Sequence, residues 1–352
     1  MHPSSPSRPA SRFTRRTLVR ATAGAAAGAA AGAIGASGLG GVGHVAHAVP
    51  ALHGEFESIA AQAMPIRWAN GLPGDGFLIR HGYATENTWY NPGWWHTGED
   101  WYALDDAETG GAEVVAVAPG VVVFVGSDYP GRVVIVQHLP YLYSMYGHLD
   151  YDPSVAETDV VEAGQTLGTV LTRTDGVAPS HLHFEIRTFL FAAEVNGDAP
   201  RYDVACGVQC APGPGYWPQD APDHPSALGW LNPLEEMASW RVGSAPFTAV
   251  VSQSGAGRSV DVVAAPGGEV TGTLLPESGQ TFDVTAVQAN DPDSTGTSAE
   301  AYGIWYQVTL GAASGWIPAI AASSGDTGSD GRPSGIDLLL LPTSTGIGSA
   351  AG

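Results

Sequence analysis

Several stretches of this chain alternate polar and apolar residues with a period of two, the spacing of β-strands. The clearest is Ser180-His181-Leu182-His183-Phe184-Glu185-Ile186. A strand puts residues i and i+2 on one face, about 6.6 Å apart at ~3.3 Å rise per residue. His181 and His183 therefore point the same way. Valine-rich runs at 113–117 and 121–125, separated by Ala118-Pro119-Gly120, read as a β-hairpin. A second hairpin pairs 132–138 with 142–149, and 160–171 reads as a turn with a short strand. Beyond residue 240, short apolar runs at 248–251, 260–263 and 282–285 are separated by Gly, Pro and Asp turns. The pattern predicts a mostly β protein, and 352 residues are enough for two domains.

Composition adds an address and a charge. All 14 basic residues are arginine, against 35 acidic ones, for a net charge of −21. Five arginines fall in the first 20 residues, where there is no acid. A surface this acidic repels nucleic acid and anionic lipid, so neither is an expected partner. Thr14-Arg15-Arg16-Thr17-Leu18-Val19-Arg20 looks like a twin-arginine export signal. A weakly hydrophobic Ala/Gly stretch follows, and Ala46-His47-Ala48 fits a cleavage site. Residues 1–48 are thus read as a signal peptide. No later run is long and apolar enough to span a bilayer. The mature chain is expected to be secreted or wall-associated, and monomeric.

Candidate chemistry begins at His96-Thr97-Gly98-Glu99-Asp100. In a straight strand His96 and Asp100 would lie roughly 13 Å apart, too far to share an ion. Gly98 permits a bend that brings them together. Glu99 competes with Asp100 as a carboxylate, but the spacing favours Asp100 and leaves Glu99 facing solvent. Tyr90 and Trp94, in the aromatic loop before His96, are candidates for a substrate groove, with simple packing as the other reading. His148 ends a strand beside Gly147, a typical edge position for a functional side chain. His138 has no evident partner and is read as structural or solvated. No His-Glu-x-x-His helix is present.

Taken in order, His96-x-x-x-Asp100, Tyr146-Gly147-His148-Leu149 and His181-Leu182-His183-Phe184, with Ala163-Gly164-Gln165-x-x-Gly168 between, resemble the lysostaphin/LytM-type zinc metallopeptidases. The likeness covers about residues 90–190. It implies an antiparallel β-sheet metallopeptidase domain of the duplicated-hybrid-motif type, cutting peptides in peptidoglycan. It implies one zinc ion held by His96, Asp100 and His183, with His148 and His181 acting in catalysis. Two imidazoles and a carboxylate leave a fourth tetrahedral position open, the pattern of a catalytic site rather than a structural one.

The peptidase domain is read as 49–240, with a Pro/Gly/Asp-rich insertion at about 188–229 that ends before Trp230-Leu231-Asn232-Pro233-Leu234, a segment like the family's closing one. In an exported chain, Cys206 and Cys210 of the insertion read as a local disulfide. Residues 241–325, with Gly303-Ile304-Trp305-Tyr306-Gln307-Val308 and Gly315-Trp316-Ile317-Pro318, resemble a bacterial SH3-like barrel, a module that often binds cell-wall peptides. Residues 326–352 read as a flexible tail, within which apolar 336–341 is unexplained. Two readings follow: a secreted zinc endopeptidase, or a non-catalytic wall-binding or amidase-activating scaffold on the same fold.

Overall fold

Strands outweigh helices by far, as the period-two pattern requires, and in the computed structural model every strand pairing among the described residues is antiparallel. The structure describes residues 59, 62–87, 91–127, 131–203, 207–291, 302–311, 313–323 and 335–343. The expected signal peptide and Tyr90 lie outside them. Among the described residues no helix is long and apolar enough to cross a membrane.

The site is carried by a ten-stranded sheet. Its main strands are β1 (Phe77–His81), β3 (Glu99–Ala103), β4 (Gly120–Gly126), β5 (Arg132–Leu139), β6 (Leu142–Leu149) and β7 (Leu182–Arg187). Beside it, β2 (Asn91–His96) belongs to a three-stranded sheet with β8 (Tyr216–Pro218), which comes from the insertion. The spatial order runs β4, β5, β6, β7, β3, β1. The β5–β6 hairpin forms as its alternation predicts. Both faces of β5 are buried: Val134 and Val136 enter the main core, while Val133 and Ile135 enter a smaller cluster with Met145 and Ala211. A strand covered on both faces can be apolar throughout.

The hairpin expected over 113–125 does not form. Glu113–Val115 pairs with Ile66–Arg67 and Thr166–Thr169 in a separate three-stranded sheet, while β4 pairs with β5. Gly120 admits this change of sheet, because a Cβ there would stand 2.4 Å from the Gln137 carbonyl oxygen.

Residues beyond 240 supply a seven-stranded antiparallel sheet that includes Phe247–Val251, Thr281–Gln288, Trp305–Leu310 and Ala313–Pro318. It does not stand apart from the first sheet. β9 (Ile320–Ala322) and β10 (Ile336–Leu338) extend the first sheet beyond β1, and Leu340–Pro342 then pairs with Phe247–Val251. One hydrophobic core contains Trp101, Val134 and Phe184 together with Val284, Tyr306 and Leu341. The expected flexible tail therefore fails over 335–343, whose apolar residues are buried strands. Fully burying a Leu or Ile side chain stabilises by about 1.5–3 kcal/mol, which gives this apolar run a physical role.

The insertion packs on a cluster of Tyr83, Val195, Trp217 and Trp230. Its Cys210 is disulfide-bonded; Cys206 lies outside the described residues. The segment after it starts α1 (Pro233–Ser239), where the Asn232 side chain accepts from Glu235 N and Pro233 takes the first turn, a strong start signal for so short a helix.

Candidate metal and catalytic centre

Sheet register builds the site. His183 on β7 faces Gly147 on β6 and Asp100 on β3, and Asp100 faces His81 on β1. A side chain at each position projects from the same face of the sheet. His96 arrives from β2 through the turn Thr97-Gly98. Gly98 permits this bend by close approach: a Cβ there would lie 2.4 Å from the Phe184 carbonyl oxygen on β7.

The outcome is a tight convergence of three atoms. His96 Nε2 is 3.2 Å from Asp100 Oδ1, His183 Nδ1 is 3.1 Å from the same oxygen, and the two nitrogens are 3.0 Å apart. Ligands bound tetrahedrally at about 2.0–2.1 Å stand roughly 3.3 Å from one another, so the spacing fits a zinc ion with little adjustment. The far side of each ring fixes its tautomer. His96 Nδ1 lies 3.3 Å from the Gly82 carbonyl, which can only accept, so that nitrogen carries the proton and Nε2 keeps its lone pair. His183 Nε2 donates to Glu185 Oε1 at 3.1 Å, leaving Nδ1 free to ligate. A carboxylate behind a ligating histidine raises the basicity of its metal-facing nitrogen.

The electrostatics favour a cation here. Burial pushes the Asp100 carboxyl up, but His96, His181 and a hydrogen bond from His183 outweigh it and hold it well below the usual carboxylate range. Burial lowers His183, yet Asp100 and Glu185 on either side raise it to about 9. In the metal-free site a proton occupies this field, and a metal must displace it.

Glu185 is fully buried and held by three further donors. Thr97 Oγ1 donates at 2.7 Å, Trp230 Nε1 at 3.1 Å, and the buried Arg187 guanidinium lies 3.5 Å away. Arg187 also donates to the carbonyls of Ala211 and Pro212, at 2.5 and 2.9 Å. The insertion is thereby tied to the carboxylate that orients a candidate metal ligand.

His181 and His148 flank the open side. His181 Nδ1 donates to the Pro179 carbonyl at 2.9 Å, which turns Nε2 toward Asp100 Oδ1 at 3.8 Å. Burial lowers its pKa, and the ring stacks on Tyr102 at 4.9 Å. The His148 ring meets His181 edge-on at 4.6 Å and His183 at 6.1 Å. His148 adopts a left-handed backbone, φ 63°, uncommon for a side chain of this size and a typical device for aiming one.

Sequence reasoning missed His81. Its ring stacks on His96 at 4.5 Å, and Nδ1 lies 3.7 Å from Asp100 Oδ2. His81, His96 and Asp100 form a second grouping with ligand atoms within 4.8 Å, looser than the first. Burial and then the neighbouring His96 lower His81 to about 3, so it stays neutral. The signal available was a histidine on a strand before the first motif, without a register to place it.

Glu99 reverses its expected place. It is 0% exposed, and accepts from Leu234 N at 3.1 Å, Tyr302 Oη at 3.0 Å and Trp101 Nε1 at 3.2 Å. Burial raises its carboxyl to about 8 against those bonds. It thus turns inward to the C-terminal part of the chain, away from the three converging atoms. His138 is structural: buried, with Nδ1 2.8 Å from the Pro119 carbonyl and Nε2 2.7 Å from Ser144 Oγ. Trp94 packs edge-on against Tyr202 of the insertion, at 6.2 Å.

Residues 96–198 match the family model described as Peptidase family M23. That span, rather less than a third of the chain, contains all five histidine and aspartate residues singled out for metal binding or catalysis. No curated protein matches the sequence. Among solved structures, the antimicrobial peptidase lysostaphin from Staphylococcus simulans aligns over 82% of this chain and 99% of its own, with 16% identity and a TM-score of 0.34. Its catalytic domain aligns over 32% of this chain and 80% of its own, with 29% identity and a TM-score of 0.27. A mutant catalytic domain of the prophage-encoded M23 protein EnpA from Enterococcus faecalis aligns over 35% and 86%, with 28% identity and a TM-score of 0.27.

Proposed function

We propose that this chain is a secreted zinc metalloendopeptidase that hydrolyses peptide bonds in peptidoglycan stem peptides or cross-bridges. The observation that carries the reading is the convergence of His96 Nε2, Asp100 Oδ1 and His183 Nδ1 within 3.0–3.2 Å, inside the stretch that matches Peptidase family M23. His96, Asp100 and His183 hold the metal, and Glu185 fixes the His183 tautomer. Zinc, when bound, supplies a Lewis acid that polarises the scissile carbonyl and acidifies the attacking water.

The remaining steps fall to His181 and His148. His181 has its Nδ1–H committed to the Pro179 carbonyl, and burial keeps the ring neutral, so Nε2 presents a lone pair to the open side. It accepts the proton released as water attacks. His148, across the cleft, donates an N–H to the carbonyl oxygen as negative charge develops there. The seven-stranded C-terminal sheet is assigned as the SH3-like, wall-binding part, and the twin-arginine segment as the export signal.

The test is zinc content and peptide release from purified peptidoglycan, with His183→Ala and His148→Ala beside wild type. The proposal expects one zinc per wild-type chain, loss of zinc in His183→Ala, and retained zinc without release in His148→Ala. A wild type that binds no zinc, or equal release by all three, overturns the enzyme reading. A fully active, zinc-loaded His148→Ala overturns only the role of His148.

A further inference from the structure

The cleft beside the metal site is walled by apolar side chains. It opens over Gly147, the residue opposite His183 in the sheet register. Gly147 has no side chain to fill the space beside His183. A Cβ added at Gly147 would come within 3.4 Å of His183 Cβ. Val133 from β5 and Met145 from β6 line one wall, and Pro212 and Pro214 of the insertion line the other, with His148 and His183 at the polar end. Val133 and Met145 belong to the apolar cluster that Ala211 covers, and the Arg187 bonds to the Ala211 and Pro212 carbonyls hold that wall in place. The cavity measures about 100 Å³. Its described lining contains neither an acidic nor an Arg side chain.

We infer that this cleft is a subsite for one small aliphatic side chain of the substrate peptide, next to the scissile bond. The inference rests on the peptidase reading above and adds a substrate class to it: bonds flanked by alanine, valine or leucine rather than glycine–glycine bonds. Volume sets the upper limit, since an apolar cavity that admits benzene measures about 150 Å³. An aromatic side chain exceeds that volume, and a charged one is desolvated against Val133, Met145, Pro212 and Pro214, with only Ser127, His148, His183 and Tyr216 offering polar groups. Apolar walls set the lower limit. Glycine leaves them wet, and a missing methylene in such a pocket costs roughly 10-fold or more in kcat/KM.

The experiment uses the zinc-loaded full chain and a capped peptide series, Gly-Gly-X-Gly-Gly. X is Gly, Ala, Val, Leu, Phe or Glu, in L and D forms. The expected result is kcat/KM about 10-fold or more higher for the best aliphatic X than for Gly, with Phe and Glu no better than Gly. Val133→Ala enlarges the cleft and shifts the optimum toward Leu and Phe. Val133→Phe fills it and abolishes the preference for aliphatic X over Gly. Melting curves establish that each variant is folded. Fastest cleavage of the all-glycine peptide, or preference for Phe or Glu, overturns this inference and leaves the peptidase reading intact. If only intact peptidoglycan is cut, the new termini are identified by mass and judged by the same criterion. Absence of cleavage on every substrate overturns both readings together.

Discussion

Replacing Tyr302 by phenylalanine tests whether the C-terminal sheet supports the metal site or merely adjoins it. The Tyr302 hydroxyl accepts from Tyr83 N at 2.9 Å and donates to Glu99 Oε1 at 3.0 Å. Tyr83 follows Gly82, whose carbonyl holds His96, and Glu99 precedes Asp100. One hydroxyl from residue 302 therefore braces both segments that deliver the first two candidate ligands. A buried neutral hydrogen bond is worth about 0.5–1.5 kcal/mol net. Glu99 is raised to about 8, so both bonds join neutral groups near pH 7. Tyr302→Phe, which changes shape very little, should then cost about 1–3 kcal/mol. At roughly 2 °C per kcal/mol for a chain of this size, Tm falls by about 2–6 °C. Zinc loss would itself lower Tm, so the comparison is made on both zinc-loaded and chelator-stripped protein. Competition with a chromophoric chelator measures the second effect, an expected drop in zinc affinity of about 10-fold, the low end for groups that orient metal ligands. A stripped-protein Tm within about 1 °C of wild type, with unchanged zinc affinity, would refute the bracing argument.

Glu185→Gln keeps the size of the side chain but removes the charge behind His183. Zinc affinity should fall about 10–100-fold, measured by the same chelator competition, while the far-ultraviolet spectrum stays unchanged. Burial raises the Glu235 carboxyl to about 7, against backbone bonds from Gly303 and Asn290 that pull it down. A folded-state pKa above the ordinary 4.5 means that the folded chain binds the proton more tightly. The associated stability is complete below pH 4.5 and is lost as pH rises through about 7, a decline of about 3 kcal/mol. Denaturant titrations from pH 4.5 to 8 should show that decline, flattened in Glu235→Gln; parallel slopes would contradict it. Because His183 is raised to about 9 in the metal-free site, zinc must displace a proton. Apparent zinc affinity should climb about 10-fold per pH unit between pH 6 and 8, and a flat profile would exclude His183 as a ligand.

What the sequence disclosed and what it withheld divide along one physical line. His96, Asp100, His148, His181 and His183 could be grouped as candidates because the ordered set of their short motifs resembles a known family; local geometry, a Gly-permitted bend or a period-two strand, only allowed them to meet. Strand existence was legible because the period-two pattern is set by adjacent residues. Pairing was not. The valine runs at 113–117 and 121–125 have the composition and intervening turn of a hairpin, yet each pairs in a different sheet, because partner choice depends on which distant strand offers a matching buried face. The misplacement of Glu99 has the same origin. Beside a candidate ligand on an alternating strand, a carboxylate is expected to face water; this one is buried because Leu234 and Tyr302, far along the chain, bring it a backbone N–H and a hydroxyl. His81 gains its place only through the register that sets it opposite Asp100. The motif residues form the candidate metal site. The residues that hold them there, Glu185 with Arg187 and Glu99 with Tyr302, come together through contacts with the insertion and the C-terminal sheet. A chain cut at residue 240 would keep every candidate ligand and lose the Tyr302 brace, so the two parts are better described as one folding unit than as a peptidase with a detachable module.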